Sequence, residues 1–135
     1  MNVQDKIRIY SLKGHSDNRR DISDVIEAEP GERISIVGAI IIKENMFPLA
    51  NHYHTRKDEK FAMVLGKTKV IVGEPREGGD RYEFELDDKH GLYVPRGLAH
   101  AFIAEPGSIL IHCAINVDPG FDPQATEDNI RYNLL

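Results

Sequence analysis

The fold is most evident in two stretches of the sequence, Asn51-His52-Tyr53-His54-Thr55-Arg56-Lys57-Asp58-Glu59 and Pro95-Arg96-Gly97-Leu98-Ala99-His100. Because side-chain direction repeats every second residue of an extended chain, His52 and His54 are expected on the same side of one segment. Glu59 and the distant His100 are expected to complete a pocket with them. Three imidazole nitrogens and one carboxylate oxygen suit Zn, Fe, Mn, Ni or Co better than Mg or Ca. The sequence therefore predicts a site for one divalent transition metal.

Short β-prone runs separated by Gly and Pro residues surround these stretches. The runs are Ile7 to Leu12, Arg33 to Lys43, Phe61 to Leu65, Lys67 to Gly73, Arg81 to Leu86, Gly91 to Val94, His100 to Ala104 and Ser108 to Val117. Residues 74–80 read as a polar hairpin loop, and the tail from Pro119 reads as irregular coil. A helical pattern is found only over Asp21 to Ala28. Many short strands with regular turns predict an all-β barrel or sandwich.

Length and composition restrict the class of protein. A chain of 135 residues is expected to form one domain, residues 1–135, with a core of its own. The net charge of -5 argues against non-specific binding to nucleic acid or to an anionic membrane. No run approaches the roughly 18 apolar residues that span a bilayer.

The N-terminal residues and the cysteine content suggest a compartment. The first residues lack the basic and then apolar pattern of a signal peptide. The single cysteine, Cys113, excludes an internal disulfide and fits a reducing environment. It lies in an apolar run, which favours a buried and inert thiol. We therefore expect a cytoplasmic location.

Alternation predicts what surrounds the metal ligands. If Glu59 faces the interior, Phe61, Met63 and Leu65 share its side, while Ala62 and Val64 face the other way. By the same rule His100 shares a side with Phe102. These side chains would line a mostly apolar cavity, which strengthens metal electrostatics and restricts water.

These residues also resemble the motifs of the cupin superfamily. His52, His54, Glu59 and Gly66 fit its first motif, and Gly91, Pro95, Gly97 and His100 fit its second. Met46 stands at the place of the leading Gly of the first motif, and Ala104 replaces an expected Asn, but neither departure involves a ligand. The resemblance covers roughly residues 33 to 117. It implies a small β-barrel, the double-stranded β-helix or jelly roll, with a short N-terminal extension and often dimeric.

A narrower resemblance concerns enzymes of sugar metabolism. The stretch from Asn51 to Phe61 is similar to the C-terminal cupin domain of bifunctional capsular-polysaccharide enzymes, which epimerise and then reduce nucleotide-linked keto sugars. Lys57 matches a Lys of that motif, and Phe121-Asp122-Pro123 is similar to a segment near their end. Gly91 to Gly97 resembles the sugar-nucleotide cupin isomerases and epimerases, which often work without metal and use His and Tyr as acid and base. The reductase half is missing from this sequence, so the resemblance does not assign the same pathway.

Proton transfer next to a ketone needs a base and a group that holds the enolate oxygen. Lys57 is a candidate for moving the proton, whereas Tyr53, between two inward His residues, is expected to point outward. His112 is either a group that lines the cavity or a satisfied core histidine. Arg96 is placed at the mouth of the barrel, either as a contact for phosphate or carboxylate or as a surface residue.

Three functions fit this combination of fold and ligands. The first is an isomerase or epimerase that acts on a keto sugar, free or nucleotide-linked, or on a related carbonyl compound. The second is an Fe(II)-dependent dioxygenase, because the ligand set can leave two coordination positions open. The third is a non-catalytic cupin that binds a small molecule. The ligand set does not select among Zn, Fe, Mn and Ni, and the fold does not name the substrate.

Overall fold

A computed structural model describes residues 2–43 and 48–135 of the chain; Met46 lies outside these ranges. The described residues are mostly antiparallel β-strands. The elements are α1 Val3–Lys6, β1 Arg8–Ser11, β2 Gly14–Ser16, β3 Asp21–Ser23, β4 Ile34–Ile41, β5 Leu49–Tyr53, β6 Asp58–Leu65, β7 Lys67–Gly73, β8 Arg81–Asp87, β9 His90–Val94, β10 Ala99–Ala104, β11 Ile109–Ile115, a 3-10 turn Thr126–Asp128 and β12 Ile130–Arg131.

The strands form two five-stranded sheets. One has the order β1-β9-β6-β11-β4 and the other the order β12-β5-β10-β7-β8, while β2 and β3 form a separate hairpin. The pairs within both sheets are antiparallel. This arrangement confirms the predicted all-β class. No helix of the described ranges is long and apolar enough to cross a membrane.

The hydrophobic core lies between the two sheets and follows the predicted alternation along β6. Phe61 and Met63 are buried with Phe102 and Leu110 from the neighbouring strands. The prediction for Leu65 is wrong, because its side chain is 56% exposed. The pairing of β6 with β11 shifts near Val64, where Leu65 pairs with Ile109 but Met63 pairs with Leu110. One extra residue at such a bulge reverses the side on which the following residue lies.

The outer face of β6 is covered by the N-terminal part of the chain. Lys60 is buried there, and its Nζ lies 2.5 Å from Glu32 Oε1 and donates to the carbonyl oxygen of Glu27 at 2.9 Å. An ammonium group can be buried when charged and polar partners of this kind surround it. The residues before β4 therefore form a layer on the outside of the barrel.

The helix predicted over Asp21 to Ala28 is wrong. Asp21–Ser23 is a strand that pairs with Gly14–Ser16. The Asp17 carboxylate accepts the N–H groups of Arg19 and Arg20 at 2.8 and 3.0 Å, which stabilises the turn between these strands. A local side-chain bond of this kind competes with helix formation.

The predicted hairpin loop after β7 is confirmed. The N–H group of Glu74 donates to the carbonyl oxygen of Asp80 at 3.0 Å and closes the loop between β7 and β8. The turn between β6 and β7 uses Gly66 at φ +84°, where an added Cβ would lie 2.2 Å from Ser108 Oγ. Only glycine combines that backbone conformation with that close approach.

Candidate metal centre

Four side chains from three strands and one loop converge in the barrel. His52 lies on β5, His54 follows that strand, Glu59 lies on β6 and His100 lies on β10. One potential ligand atom from each of them lies within 4.8 Å of the others. Glu59 Oε1 lies 2.8 Å from His54 Nε2 and 3.1 Å from His100 Nε2. The structure therefore brings together all four residues that the sequence analysis selected as ligands.

A β-bulge places His52 in this group. The pairing of β10 with β5 shifts between His100, which faces His52, and Ala101, which faces Ala50. The extra residue, Asn51, has φ 58°, and Ala50 has φ 61°. Non-glycine residues seldom adopt this left-handed conformation, so the surrounding contacts must hold it. The strand was predicted only as an extended segment around His52, and the bulge was not anticipated.

Hydrogen bonds determine which ring nitrogen of His54, and which of His100, faces the site. His54 Nδ1 lies 2.9 Å from the carbonyl oxygen of Asp128, and His100 Nδ1 lies 3.2 Å from that of Leu98. A carbonyl oxygen only accepts hydrogen bonds, so each Nδ1 carries a hydrogen and donates it. In the neutral imidazoles, both Nε2 atoms therefore present lone pairs to the site.

The atoms at the centre of the site have no hydrogen-bond partner among the described residues. They are His54 Nε2, His100 Nε2 and Glu59 Oε1, all buried. Their mutual distances are short, but the angles do not fit hydrogen bonds. A cation placed between three such buried acceptors would satisfy all of them. The donor set thus fits a divalent transition metal.

The charges of the side chains also suit a metal. Burial, followed by the charges of His100 and His54, lowers the pKa of His52 from 6.5 to about 3. Burial acts to raise the pKa of Glu59, but hydrogen bonding and charge attraction from His100 and His54, when these rings are protonated in the absence of a metal, outweigh it, so that this pKa lies well below its usual value. A neutral imidazole and an ionised carboxylate are the forms that bind metals.

The four side chains border a cavity of about 270 Å³. Its apolar wall includes Phe61 and Phe102, together with Ile40 and Leu49. Met63 does not line the cavity, because it lies fully buried in the hydrophobic core. A mostly apolar wall with a few polar groups is typical of a small-molecule site.

Arg96 does not line this cavity either. Its guanidinium group contacts Asp58 Oδ1 at 3.1 Å and Asp118 Oδ1 at 2.7 Å and donates to the carbonyl oxygen of Asn116. Its backbone N–H group also donates to Asp58. These contacts occupy the guanidinium group with structural partners, so Arg96 ties the loop before β10 to the start of β6 and the segment after β11.

Lys57 and His112 both line the cavity; for His112 this is one of the two placements that the sequence leaves open. Lys57 Nζ donates to the carbonyl oxygen of Pro123 at 2.8 Å. The imidazole of His112 lies over Gly38 of the neighbouring strand, where an added Cβ would come within 2.3 Å of His112 Nε2. Gly38 therefore provides the space for that imidazole. Tyr53, as expected, lies on the other side of the sheet, with a cluster that includes Ile71 and Leu134.

The sequence analysis missed the contribution of the C-terminal segment. Asp128 contacts His54 and the loop after it, Asn129 lines the cavity, and Asn51 binds the end of the chain. These residues belong to polar stretches without periodicity. Their side-chain hydrogen bonds connect positions more than 70 residues apart, which local sequence patterns do not reveal.

No model of a known protein family matches the sequence, and no curated protein matches it. Solved structures do match the fold. A TDP-quinovose 3,4-ketoisomerase from Campylobacter jejuni aligns with a TM-score of 0.70 and 19% identity, covering 88% of this chain and 89% of that one. A variant 3,4-ketoisomerase from Thermoanaerobacterium thermosaccharolyticum, in complex with TDP-4-keto-6-deoxyglucose, aligns with a TM-score of 0.69 and 16% identity, covering 87% and 83%.

An epimerase shows the same similarity. The RmlC epimerase of Mycobacterium tuberculosis aligns with a TM-score of 0.68 and 19% identity, over 88% of this chain and 66% of that one. At this level of identity the comparisons establish the fold alone. The predicted cupin β-barrel is therefore confirmed: the chain has the cupin-type fold found in sugar-nucleotide ketoisomerases and epimerases.

Proposed function

We propose that the protein is a metal-dependent isomerase or epimerase that acts on a keto sugar or a related carbonyl compound. One observation carries this proposal: three buried acceptor atoms of His54, Glu59 and His100 converge beside a cavity that Lys57 and His112 also line. A cation site and groups able to transfer protons are thus combined in one enclosed space. Carbonyl chemistry of this kind needs both.

The proposed cofactor is one divalent transition metal, Zn, Fe, Mn or Ni, held by His52, His54, Glu59 and His100. Such an ion acts as a Lewis acid that polarises a carbonyl oxygen. The carbonyl groups of Asp128 and Leu98 keep two of the imidazoles in the tautomer that leaves Nε2 free. The apolar wall of Phe61 and Phe102 excludes water from the reacting carbon.

Proton transfer is assigned to His112 and Lys57. His112 takes the proton from the carbon next to the carbonyl group. The Lys57 ammonium, which already donates one hydrogen bond to Pro123, has further N–H groups to donate to a substrate oxygen. An epimerisation returns the proton to the same carbon from the opposite side. An isomerisation of a hydroxyketone returns it to the former carbonyl carbon, while the hydroxyl proton moves to the former carbonyl oxygen.

The fold comparisons support a sugar as the substrate. The aligned structures include enzymes described by their action on TDP-linked sugars and one complex with TDP-4-keto-6-deoxyglucose. The cavity of about 270 Å³ is lined by both aromatic rings and polar groups, a combination that suits a sugar ring. We include a sugar nucleotide in the proposed substrate class.

The test is incubation with TDP-4-keto-6-deoxyglucose in heavy water, in the presence of Zn²⁺, Mn²⁺, Ni²⁺ or Fe²⁺ in turn. We expect deuterium at the carbon next to the carbonyl group, detected by NMR, without uptake of oxygen. The His112→Gln variant should retain the bound metal and lose the exchange. Oxygen uptake that depends on Fe²⁺ would indicate a dioxygenase instead, and tight ligand binding without exchange would indicate a binding protein.

We also propose a homodimer and a cytoplasmic location. The outer face of β4 and the end of β6 expose Val37, Ile41 and Leu65, each more than half accessible. Within residues 2–43 and 48–135, β4 pairs only with β11, so its other edge is able to pair with another strand. Burial of this apolar face against a second copy supports the dimer.

The single, buried Cys113 supports a reducing compartment.

A further inference from the structure

The C-terminal segment, residues 126–134, reaches the candidate metal centre through Asp128. This side chain is only 3% exposed. Its Oδ1 accepts the N–H group of Thr55 at 2.9 Å and the Thr55 hydroxyl at 3.0 Å, and its Oδ2 accepts the N–H group of Arg56 at 3.2 Å. Three donors compensate the cost of burying a carboxylate. The carboxylate therefore holds the loop that follows His54.

The backbone of the same residue acts on His54 directly. The carbonyl oxygen of Asp128 accepts the hydrogen of His54 Nδ1 at 2.9 Å. This bond sets the tautomer and the orientation of the ring, because a hydrogen on Nδ1 leaves the lone pair on Nε2. Asp128 thus holds His54 by its main chain and the two following residues by its side chain.

The far end of the segment holds the middle of β5 at Asn51. The backbone of Asn51 accepts the N–H group of Tyr132 at 3.1 Å, and its side chain accepts that of Leu134 at 2.8 Å. Between these anchors, β12 pairs with β5 and places Arg131 opposite His52. The segment therefore contacts two neighbouring parts of the site. One is the strained bulge beside His52, and the other is the loop that begins at His54.

We infer that Asp128 is a positioning residue for the metal ligands and that docking of residues 126–134 is coupled to metal binding. This inference rests on the metal site proposed above. If a docked segment raises the affinity for the ion, the ion must stabilise the docked segment by the same factor, because linkage is reciprocal. Loss of a partner that orients a ligand typically lowers metal affinity by about 10- to 100-fold.

The test uses Asp128→Ala and Asp128→Asn in the full chain, with Asp122→Ala as the matched control. Asp122 lies in the same tail, but its exposed carboxylate caps a local turn at Gln124. Titration of the metal-free proteins with Zn²⁺ should show about 10- to 100-fold weaker binding for Asp128→Ala. Both variants keep the backbone carbonyl that faces His54 Nδ1, and Asp128→Asn, which also keeps one side-chain acceptor, should lie between Asp128→Ala and the wild type. Asp122→Ala should bind as the wild type does.

Amide hydrogen exchange separates positioning from a general loss of stability. In the wild type and in Asp122→Ala, Zn²⁺ should slow exchange at Thr55 and Arg56 and also at Tyr132 and Leu134. In Asp128→Ala the ion should no longer protect Tyr132 and Leu134, while exchange in β7 and β8 stays unchanged. Wild-type affinity in both Asp128 variants would overturn this inference alone. Failure of the wild type to bind any divalent ion would overturn the metal site and this inference with it.

Discussion

At the scale of single residues, the notable feature is the approach of two imidazole lone pairs to one carboxylate oxygen. His54 Nε2 and His100 Nε2 lie 2.8 and 3.1 Å from Glu59 Oε1, and all three atoms are buried. Because each Nδ1 donates to a carbonyl group, a neutral ring cannot turn a donor toward Glu59 without losing that bond. A cation bound between these three atoms would account for their arrangement.

Glu59→Gln tests that interpretation. The amide keeps the size of the side chain but removes the negative charge. We therefore expect the affinity for Zn²⁺ to fall by more than about 100-fold, a larger loss than is usual when a residue that only orients a ligand is removed. The unfolding temperature of the variant should no longer respond to a chelator, whereas that of the wild type should fall. Glu83→Gln, on the exposed side of β8, is the control and should behave as the wild type does. A full response to chelator in Glu59→Gln would contradict the role of the carboxylate.

Gly38→Ala tests the placement of His112. The added methyl group would lie 2.3 Å from His112 Nε2 and must displace the imidazole. We expect the rate of deuterium exchange into the substrate to fall at least tenfold, while the affinity for Zn²⁺ remains at the wild-type level. Ala39→Ser, at the next position on the opposite face of β4, should change neither. Unchanged exchange in Gly38→Ala would remove His112 from the proposed chemistry.

The lowered pKa values predict how the stability of the metal-free protein depends on pH. Between pH 6.5 and about 3, the unfolded chain binds a proton at His52 that the folded chain does not bind. The lowered pKa of Glu59 acts in the same direction, because the unfolded carboxylate is protonated first as pH falls. The free energy of unfolding should therefore decrease as pH falls through this range. Urea denaturation of His52→Gln should show a weaker decrease, and parallel curves would contradict the assignment to His52.

At the scale of secondary-structure elements, period-two alternation predicted the inner face of β6 from Glu59 to Met63. The prediction ended at the bulge near Val64, because the position of an extra residue depends on the partner strand rather than on β6 itself. The helix predicted over residues 21–28 was wrong for a related reason. A turn closed by Asp17 and pairing with β2 outweighed a weak apolar spacing.

The metal ligands were predictable because their spacing is local within each motif. The residues that position these ligands were not predictable. His112 was a candidate from the alternation along β11, and Lys57 from the resemblance to a motif of sugar-metabolising enzymes. Asp128 reaches His54 over 74 positions, and no pattern of the tail indicates that contact. Arg96 was placed at the mouth as a candidate ligand contact, but Asp58 and Asp118 occupy it. Contacts between distant side chains are decided by tertiary packing.

The bulge on β5 provides a test at this scale. Asn51 combines φ 58° with two side-chain hydrogen bonds to the C-terminal segment. Both Asn51→Gly and Asn51→Ala lose those side-chain bonds. Glycine adopts a positive φ without strain, whereas alanine at this position has a disfavoured backbone conformation. We expect Asn51→Ala to be less stable than Asn51→Gly by about 1 kcal/mol. Urea denaturation measures the difference, and equal stability of the two variants would argue against the left-handed bulge.

At the scale of the whole molecule, the N-terminal layer covers one face of the barrel, and the described part of the chain leaves an apolar face of β4 exposed. On that second face, Ile41 is 65% exposed and Val37 is 53% exposed. Two copies that join their β4 faces would bury these side chains and the open strand edge.

Ile41→Asp tests the proposed dimer. A carboxylate in the centre of an apolar interface should shift the protein to monomers in analytical ultracentrifugation. Glu85→Asp, at an exposed position of β8 in the other sheet, should leave the assembly unchanged. A wild-type protein that sediments as a monomer at the concentrations used for activity would contradict the proposed dimer and leave the metal site unaffected.

The central claim, that four side chains hold one transition metal inside the barrel, is tested most directly by anomalous diffraction from crystals of protein loaded with Zn²⁺ or Ni²⁺. We predict one peak bonded to Glu59 Oε1 and to the Nε2 atoms of His54 and His100, with His52 as the fourth ligand. Bond lengths should be close to 2 Å, as is usual for nitrogen and oxygen ligands. A map with no peak at this position after loading, or with the ion bound elsewhere, would contradict the account.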